Sequence, residues 1–273
     1  MLQKTFGIYS EVEGESKLFI EAGLQHVACW CKEYNTGKIT GFEFFQFDAE
    51  DGNDIENVLH NVLLQSKLAV APAEAVAITW ENPDAVCVPA IFYKDEFAGY
   101  YLDLVAGESQ GTAPVQAYYT GKQVIICRLR ADYINSFNKH FKNAKSAHKF
   151  HVLLEKYFNQ AQRQVNTLVY TVFYPMHFIL TIVKEGELQL IRSISYSTSE
   201  DVLYCIMQVC QLHNLPPGTT PVIASGLIDT ASNLYNTLYA YLENFVLEQP
   251  VNTVFADSFA EYPYHYFLPF IYE

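Results

Sequence analysis

Residues 168–213 read LVYTVFYPMHFILTIVKEGELQLIRSISYSTSEDVLYCIMQVCQLH. Three apolar runs, Leu168–Phe173, Phe178–Val183 and Leu188–Ser193, are broken by turns at Tyr174-Pro175 and Glu185-Gly186. Runs of that length and spacing spell three strands in a meander. Ser197 followed by Glu200 has the spacing of a capping box. Val202, Ile206 and Val209, with Leu203, Met207 and Cys210, then give the next helix a broad apolar stripe. Pro216-Pro217-Gly218 stops this helix. Pro221–Ala224 reads as a short buried strand and Ser225-Gly226 as a tight turn. Thr230–Tyr241 reads as a further helix, N-capped by Asp229 or Thr230.

The first half of the chain reads in the same order. The sequence strand, strand, strand, helix runs from Val27 to Leu68, with Val27–Lys32 as its first strand and Asn35-Thr36-Gly37 turning it into Ile39–Phe47. Asn53 and Glu56 form a capping pair, and Ile55, Val58, Leu59, Val62 and Leu63 mark one helix face. Ala75–Trp80 follows as a buried strand, matching Pro221–Ala224. Residues 1–17 read as an edge strand or loose tail and 107–114 as a loop. A hairpin at Val115–Tyr119 and Val124–Leu129 and helices at Asp132–Phe141 and around Val152–Tyr157 complete the half. Matched spacing without matched residues is what an old duplication leaves. The block opens a ribonuclease-H-like unit, and two of them in one chain give an α/β fold of two such lobes, mixed sheets with flanking helices. This is the actin-like ATPase architecture. The expected division is residues 1–160, with inserted strands and helices, and residues 161–273, with a cleft between the lobes.

Composition narrows the function classes. Half of the 273 residues are hydrophobic, 17% are charged, and there are 20 Tyr and 19 Phe, so the chain buries a sizeable core. A net charge of −13 opposes binding to phosphate backbones, and no nucleic-acid partner is expected. No apolar run of about 18 residues predicts a membrane span, and Met1–Ser16 lacks the apolar core of a secretory signal. The six cysteines form no C-x-x-C pair and read as buried small hydrophobes of a cytoplasmic protein.

Four segments carry a family resemblance: Ile194–Tyr204 (ISYSTSEDVLY), Val222–Gly226 (VIASG), Tyr264–Pro269 (YHYFLP) and Val86–Phe92 (VCVPAIF). Together they resemble the uncharacterised bacterial domain-of-unknown-function family 3822. The resemblance implies an actin-like ATPase fold, related in shape to pilus-assembly and cell-division actin homologues, and no known activity.

In that fold two glycine-bearing turns, one between the first two strands of each half, hold the phosphates, with an Asp near each for Mg²⁺. The first turn is read here as Lys32–Lys38. Glu33 offers a carboxylate and Gly37 and Lys38 phosphate contacts, but no Asp-x-Gly signature is present. The second reads Phe173-Tyr174-Pro175-Met176-His177, without acid or glycine, and Pro175 lacks an N–H donor. Ser225 and Gly226 stand where the fold packs against adenosine. These five residues, Glu33, Gly37, Lys38, Ser225 and Gly226, are the candidate cleft positions. The strands read as first in each half, Val27–Lys32 and Leu168–Phe173, contain no acid for a two-metal nuclease. His148 and His151 read as a solvated helix start and not as metal ligands. The run Tyr262–Phe270 reads as a cap on the protein's own core. The expectation is a non-catalytic binding or scaffold protein with degenerate phosphate loops, no required cofactor or metal, and an unidentified protein partner. The alternative is an ATPase or kinase that binds ATP with Mg²⁺ through unusual loops.

Overall fold

A computed structural model describes the whole chain except residues 1, 12–13, 108–113, 162–166, 217, 251–253 and 272–273, and leaves the side chains of 159–161 undescribed. The loop expected at 107–114 therefore falls mostly outside the described residues. The chain forms two units, Met1–Val152 with Asn252–Glu261, and Leu153–Val251 with Tyr262–Glu273.

In the first unit, β1 (Gln3–Tyr9), β2 (Ser16–Ala22), β3 (His26–Glu33) and β4 (Ile39–Gln46) precede α1 (Ile55–Gln65) and β5 (Ala75–Trp80). An insertion follows: β6 (Ala85–Pro89), α2 (Ala98–Ala106), β7 (Val115–Thr120) and β8 (Gln123–Arg128). Its three strands form a small separate sheet, β6-β8-β7, with α2 packed on Val88, Val124 and Ile126. Then come α3 (Ala131–His140), β9 (Lys145–His148) and α4 (Lys149–Ala161), within which the first unit gives way to the second. The second unit contains β10 (Leu168–Phe173), β11 (His177–Lys184), β12 (Glu187–Ser195), α5 (Ser199–Leu212), β13 (Val222–Gly226), α6 (Asn233–Tyr241) and β14 (Phe245–Leu247).

The two main sheets repeat one topology. The first runs β1-β4-β3-β2-β5-β9 and the second β12-β11-β10-β13-β14. Apart from β1 on its edge, the orders correspond strand for strand. In each, an antiparallel meander is followed by a helix and by a strand parallel to the first strand of the meander, β5 beside β2 and β13 beside β10. All six residues of β10 are buried, because it is covered on both faces, whereas the edge strand β12 alternates with solvent. Val202, Ile206 and Cys210 of α5 pack on Val169, Phe173, Leu180 and Ile182, as the helical period predicts.

The repeat thus begins one strand earlier than the sequence reading placed it. Only β3 and β4 lie between Val27 and Leu68, and the first strand of the block is β2. Helix starts move as well. Asp54, not Asn53, caps α1 by accepting the Asn57 N–H at 3.1 Å. The capping box of α5 joins Thr198 and Asp201 instead of Ser197 and Glu200, because the Asp201 carboxylate accepts both the Ser197 and the Thr198 amides, at 3.0 and 2.9 Å. α6 is capped by Ser232, while Asp229 spends its carboxylate on the Ala231 N–H.

Candidate functional site

The turn between the first two strands of each repeated block, β2 to β3 and β10 to β11, is where the fold exposes backbone at the carboxyl ends of its parallel strands, so that turn sets what a unit can bind. Both are two-residue hairpins. Gly23 donates its N–H to the His26 carbonyl at 2.9 Å around Leu24-Gln25, and Tyr174 donates to the His177 carbonyl at 2.9 Å around Pro175-Met176. A hairpin this short has no loop in which successive N–H groups can curve around a phosphate. Pro175 removes one of the few donors it has, and the Tyr174 ring lies flat on His177 at 4.6 Å.

A buried charge cluster sits behind the first of these turns. Glu21, near the end of β2, is fully buried. Its Oε2 accepts from Lys149 Nζ at 2.5 Å and its Oε1 from His26 Nε2 at 3.1 Å, and both partners are also buried. Gly23 makes room for this arrangement: a Cβ there would lie 2.2 Å from His26 Cε1. The imidazole can then lie over Phe44, at 5.3 Å and nearly parallel, with one nitrogen turned to the carboxylate. Burial alone pushes the Glu21 carboxyl up, but the Lys149 ammonium and the His26 hydrogen bond outweigh it and hold the pKa at about 2. This carboxylate lies on the true first strand, and a cation of the protein's own already occupies it.

The residues anticipated from sequence fall into two separate turns. Glu33, Gly37 and Lys38 come together at the β3–β4 hairpin, which joins the second and third strands of the block. There the Thr36 hydroxyl donates to Glu33 Oε2 at 2.6 Å, the Gly37 N–H to the Glu33 carbonyl at 2.9 Å, and the Glu33 N–H to the Lys38 carbonyl at 3.0 Å. Ser225 and Gly226 lie together at the end of β13. Gly226 has φ +86°, and a Cβ on it would stand 2.3 Å from the Phe173 carbonyl oxygen, so glycine is needed to seat β13 against β10. Just beyond, the Leu227 N–H donates to that same carbonyl at 2.8 Å. The C-terminal aromatic run packs on its own unit: Phe267, Leu268 and Phe270 are buried and His265 Nε2 bonds the Ile228 carbonyl at 2.8 Å.

Sequence reasoning missed Glu21, His26 and Lys149. Their signal was weak: a Glu in an apolar run, and a Lys partner 128 positions away. His148 has both ring nitrogens engaged, Nε2 donating to the Asn82 carbonyl and Nδ1 accepting the Phe150 N–H, each at 3.1 Å. His151 Nδ1 pairs with the Thr120 hydroxyl. Among the described residues no group of three His, Cys, Asp or Glu side chains is placed to hold a metal ion, and no helix is long and apolar enough to cross a membrane.

These shifts set an acid response. Burial drives the His148 pKa down to about 4, below the ordinary 6.5. Its neutral form therefore contributes stability that is present above pH 6.5 and is lost as pH falls towards 4. Glu21 acts lower, with stability present above about 4.5 and lost as pH falls towards 2. Urea midpoints measured across this range should fall in two stages, and His148→Gln should reduce the upper stage, to which the buried His265 with its lowered pKa also contributes, while leaving the lower one. An unchanged upper stage in that variant would refute the assignment.

Comparison with known proteins fits this geometry. A family model described as a protein of unknown function, DUF3822, matches residues 9–245. A Bacteroides thetaiotaomicron protein with an actin-like ATPase fold and unknown function is 14% identical and superposes with a TM-score of 0.76, over 89% of this chain and 96% of that one. The structure of the PilM–PilN type IV pilus biogenesis complex gives 10% identity and a TM-score of 0.60, over 96% of this chain and 98% of that one. No curated protein matches the sequence. The strand order, the duplicated block and the family match agree: the chain belongs to the DUF3822 family of proteins of unknown function and has the actin-like ATPase fold.

Proposed function

We propose that this protein is a non-catalytic binding or scaffold protein, an actin-like ATPase fold whose phosphate turns have degenerated. One observation carries the reading: the carboxylate on the first strand of the block, Glu21, is neutralised from within by Lys149 and hydrogen-bonded to His26, behind a hairpin of two residues. A divalent ion would have to displace a buried ammonium to reach it, at the cost of stranding that charge. Protein–protein contact is the mode of action. In support, PilM, which shares the fold at a TM-score of 0.60, occurs in a complex with PilN. The net charge of −13 speaks against nucleic acid as the partner. Six unpaired cysteines fit a cytoplasmic setting.

The competing reading, an ATPase or kinase using Glu33, Lys38 and Gly226, makes an opposite forecast. A ligand that binds only the folded state at a hundred times its Kd stabilises it by about 2.7 kcal/mol. Thermal melts with millimolar ATP and Mg²⁺ should instead coincide with melts without them, and no phosphate should be released. A rise in melting temperature that needs both ATP and Mg²⁺ and disappears in Glu33→Ala would establish the enzyme reading in place of ours.

A further inference from the structure

A cavity of about 440 Å³ opens in the second unit, at the amino ends of the parallel strands β10 and β13. It lies one strand length, roughly 20 Å, from the Tyr174–His177 hairpin at the other end of β10, away from the turns described above. Its volume is that of a site for a small organic molecule. Lys184, Asn214, Thr219 and Thr220 form its polar side, with Leu215 and Pro221 on the apolar side. No acidic residue lines it, in a chain with 30 Asp and Glu against 17 Lys and Arg. The neighbouring acids Glu185 and Glu243 stand outside the lining, the latter turned to Gly218.

The polar side chains converge with capacity unused. The Lys184 ammonium donates to the His213 carbonyl at 3.2 Å, which holds it at the cavity wall, and it forms no ion pair among the described residues. Of its three N–H donors, two remain. Thr220 is 5% exposed; its N–H donates to the Pro216 carbonyl at 3.0 Å, but its hydroxyl has no partner among the described residues. Asn214 likewise engages only its backbone, through the Gln211 carbonyl. A buried hydroxyl needs a partner, and the cavity is where that partner sits. Water satisfies the hydroxyl but leaves the ammonium without a counter-charge. An anion satisfies both.

We infer that this cavity binds a small organic phosphate, with the phosphoryl oxygens on the Lys184, Thr220 and Asn214 side chains and the body of the molecule against Leu215 and Pro221. A phosphoryl group presents three strong acceptor oxygens, one for each of these uncommitted side chains, where a carboxylate presents two. The inference goes beyond the binding-protein reading above and does not depend on it.

The probe is glycerol 3-phosphate, with inorganic phosphate and glycerol beside it. Calorimetric titration of the full chain should show one site for the ester in the millimolar range or tighter, inorganic phosphate at least about threefold weaker, and no heat from glycerol. Lys184→Met, which keeps most of the side chain's bulk, should weaken the ester at least about tenfold, and Thr220→Val about threefold. Lys122→Met, in the first unit, should leave it unchanged. Melting curves without ligand establish that each variant is folded. No binding of either anion, or unchanged affinity in Lys184→Met, overturns the inference. Inorganic phosphate binding as tightly as the ester overturns the organic ligand in favour of the free ion. ATP carries phosphoryl groups too, and the two sites stay distinguishable: a stabilisation arising in this cavity persists in Glu33→Ala and is lost in Lys184→Met.

Discussion

Lys149→Ala should lower the free energy of unfolding by about 3–5 kcal/mol, because it strands a buried carboxylate whose ammonium partner is gone. Glu21 is 0% exposed and Lys149 1%, so neither charge can turn to water without local unfolding. Removing Glu21 alone by Glu21→Gln should cost a similar amount for the mirror reason, the loss of the carboxylate that pairs with a buried ammonium. Lys149→Met combined with Glu21→Gln should recover part of the loss, since neither charge then remains unpaired. Urea unfolding followed by tryptophan fluorescence reads this directly, as both tryptophans, Trp30 and Trp80, are buried in the first unit. A loss below about 1 kcal/mol, the range of exposed pairs, would mean that the cluster is hydrated and that Glu21 is open to an outside cation.

Gly226→Ala is the second large effect. Two costs coincide at that position: a left-handed φ of +86°, and a Cβ 2.3 Å from the Phe173 carbonyl oxygen. Backbone strain alone accounts for about 1–3 kcal/mol, and relieving the contact requires β13 to shift away from β10. A loss of about 3 kcal/mol or more is expected, read by tyrosine near-ultraviolet circular dichroism during urea unfolding. Gly37→Ala is the control. Its φ is +66° but nothing lies within 4 Å of the added carbon, so it should cost only about 1 kcal/mol. Equal losses at the two glycines would show that the approach to Phe173 is soft.

Legibility from sequence followed the strength of each local signal. β10, β11, α5 and β13 were readable because apolar runs and turn residues agree there. β2 escaped notice because Lys17 and Glu21 interrupt its apolar pattern, and Glu21 is tolerated in a buried strand only through Lys149, a partner that no local window contains. Missing β2 then moved the turn between the first two strands of the block from Gly23–His26 to Lys32–Lys38. The second unit has a similar hidden pair, Lys156 with Glu248 at 2.7 Å, invisible for the same reason. Helix caps failed by one to three positions, since neighbouring Ser, Thr, Asn and Asp residues all satisfy the pattern and only the geometry chooses among them. Gly226 was read both as a tight turn and as a candidate cleft position, and its conformation and its approach to Phe173 give it a packing reason of its own.

The bridge from Ile39 to Phe255 bears on how the chain is made. The Ile39 N–H donates to the Val254 carbonyl at 2.7 Å, the Ala256 N–H donates to the Ile39 carbonyl at 3.0 Å, and Ser10 meets Ser258 at 2.6 Å. The first unit therefore takes its last backbone partners from a segment that leaves the ribosome after nearly all of the second unit. During synthesis that flank of the early unit waits uncapped while the intervening stretch emerges, so the two halves reach their final state together instead of in turn.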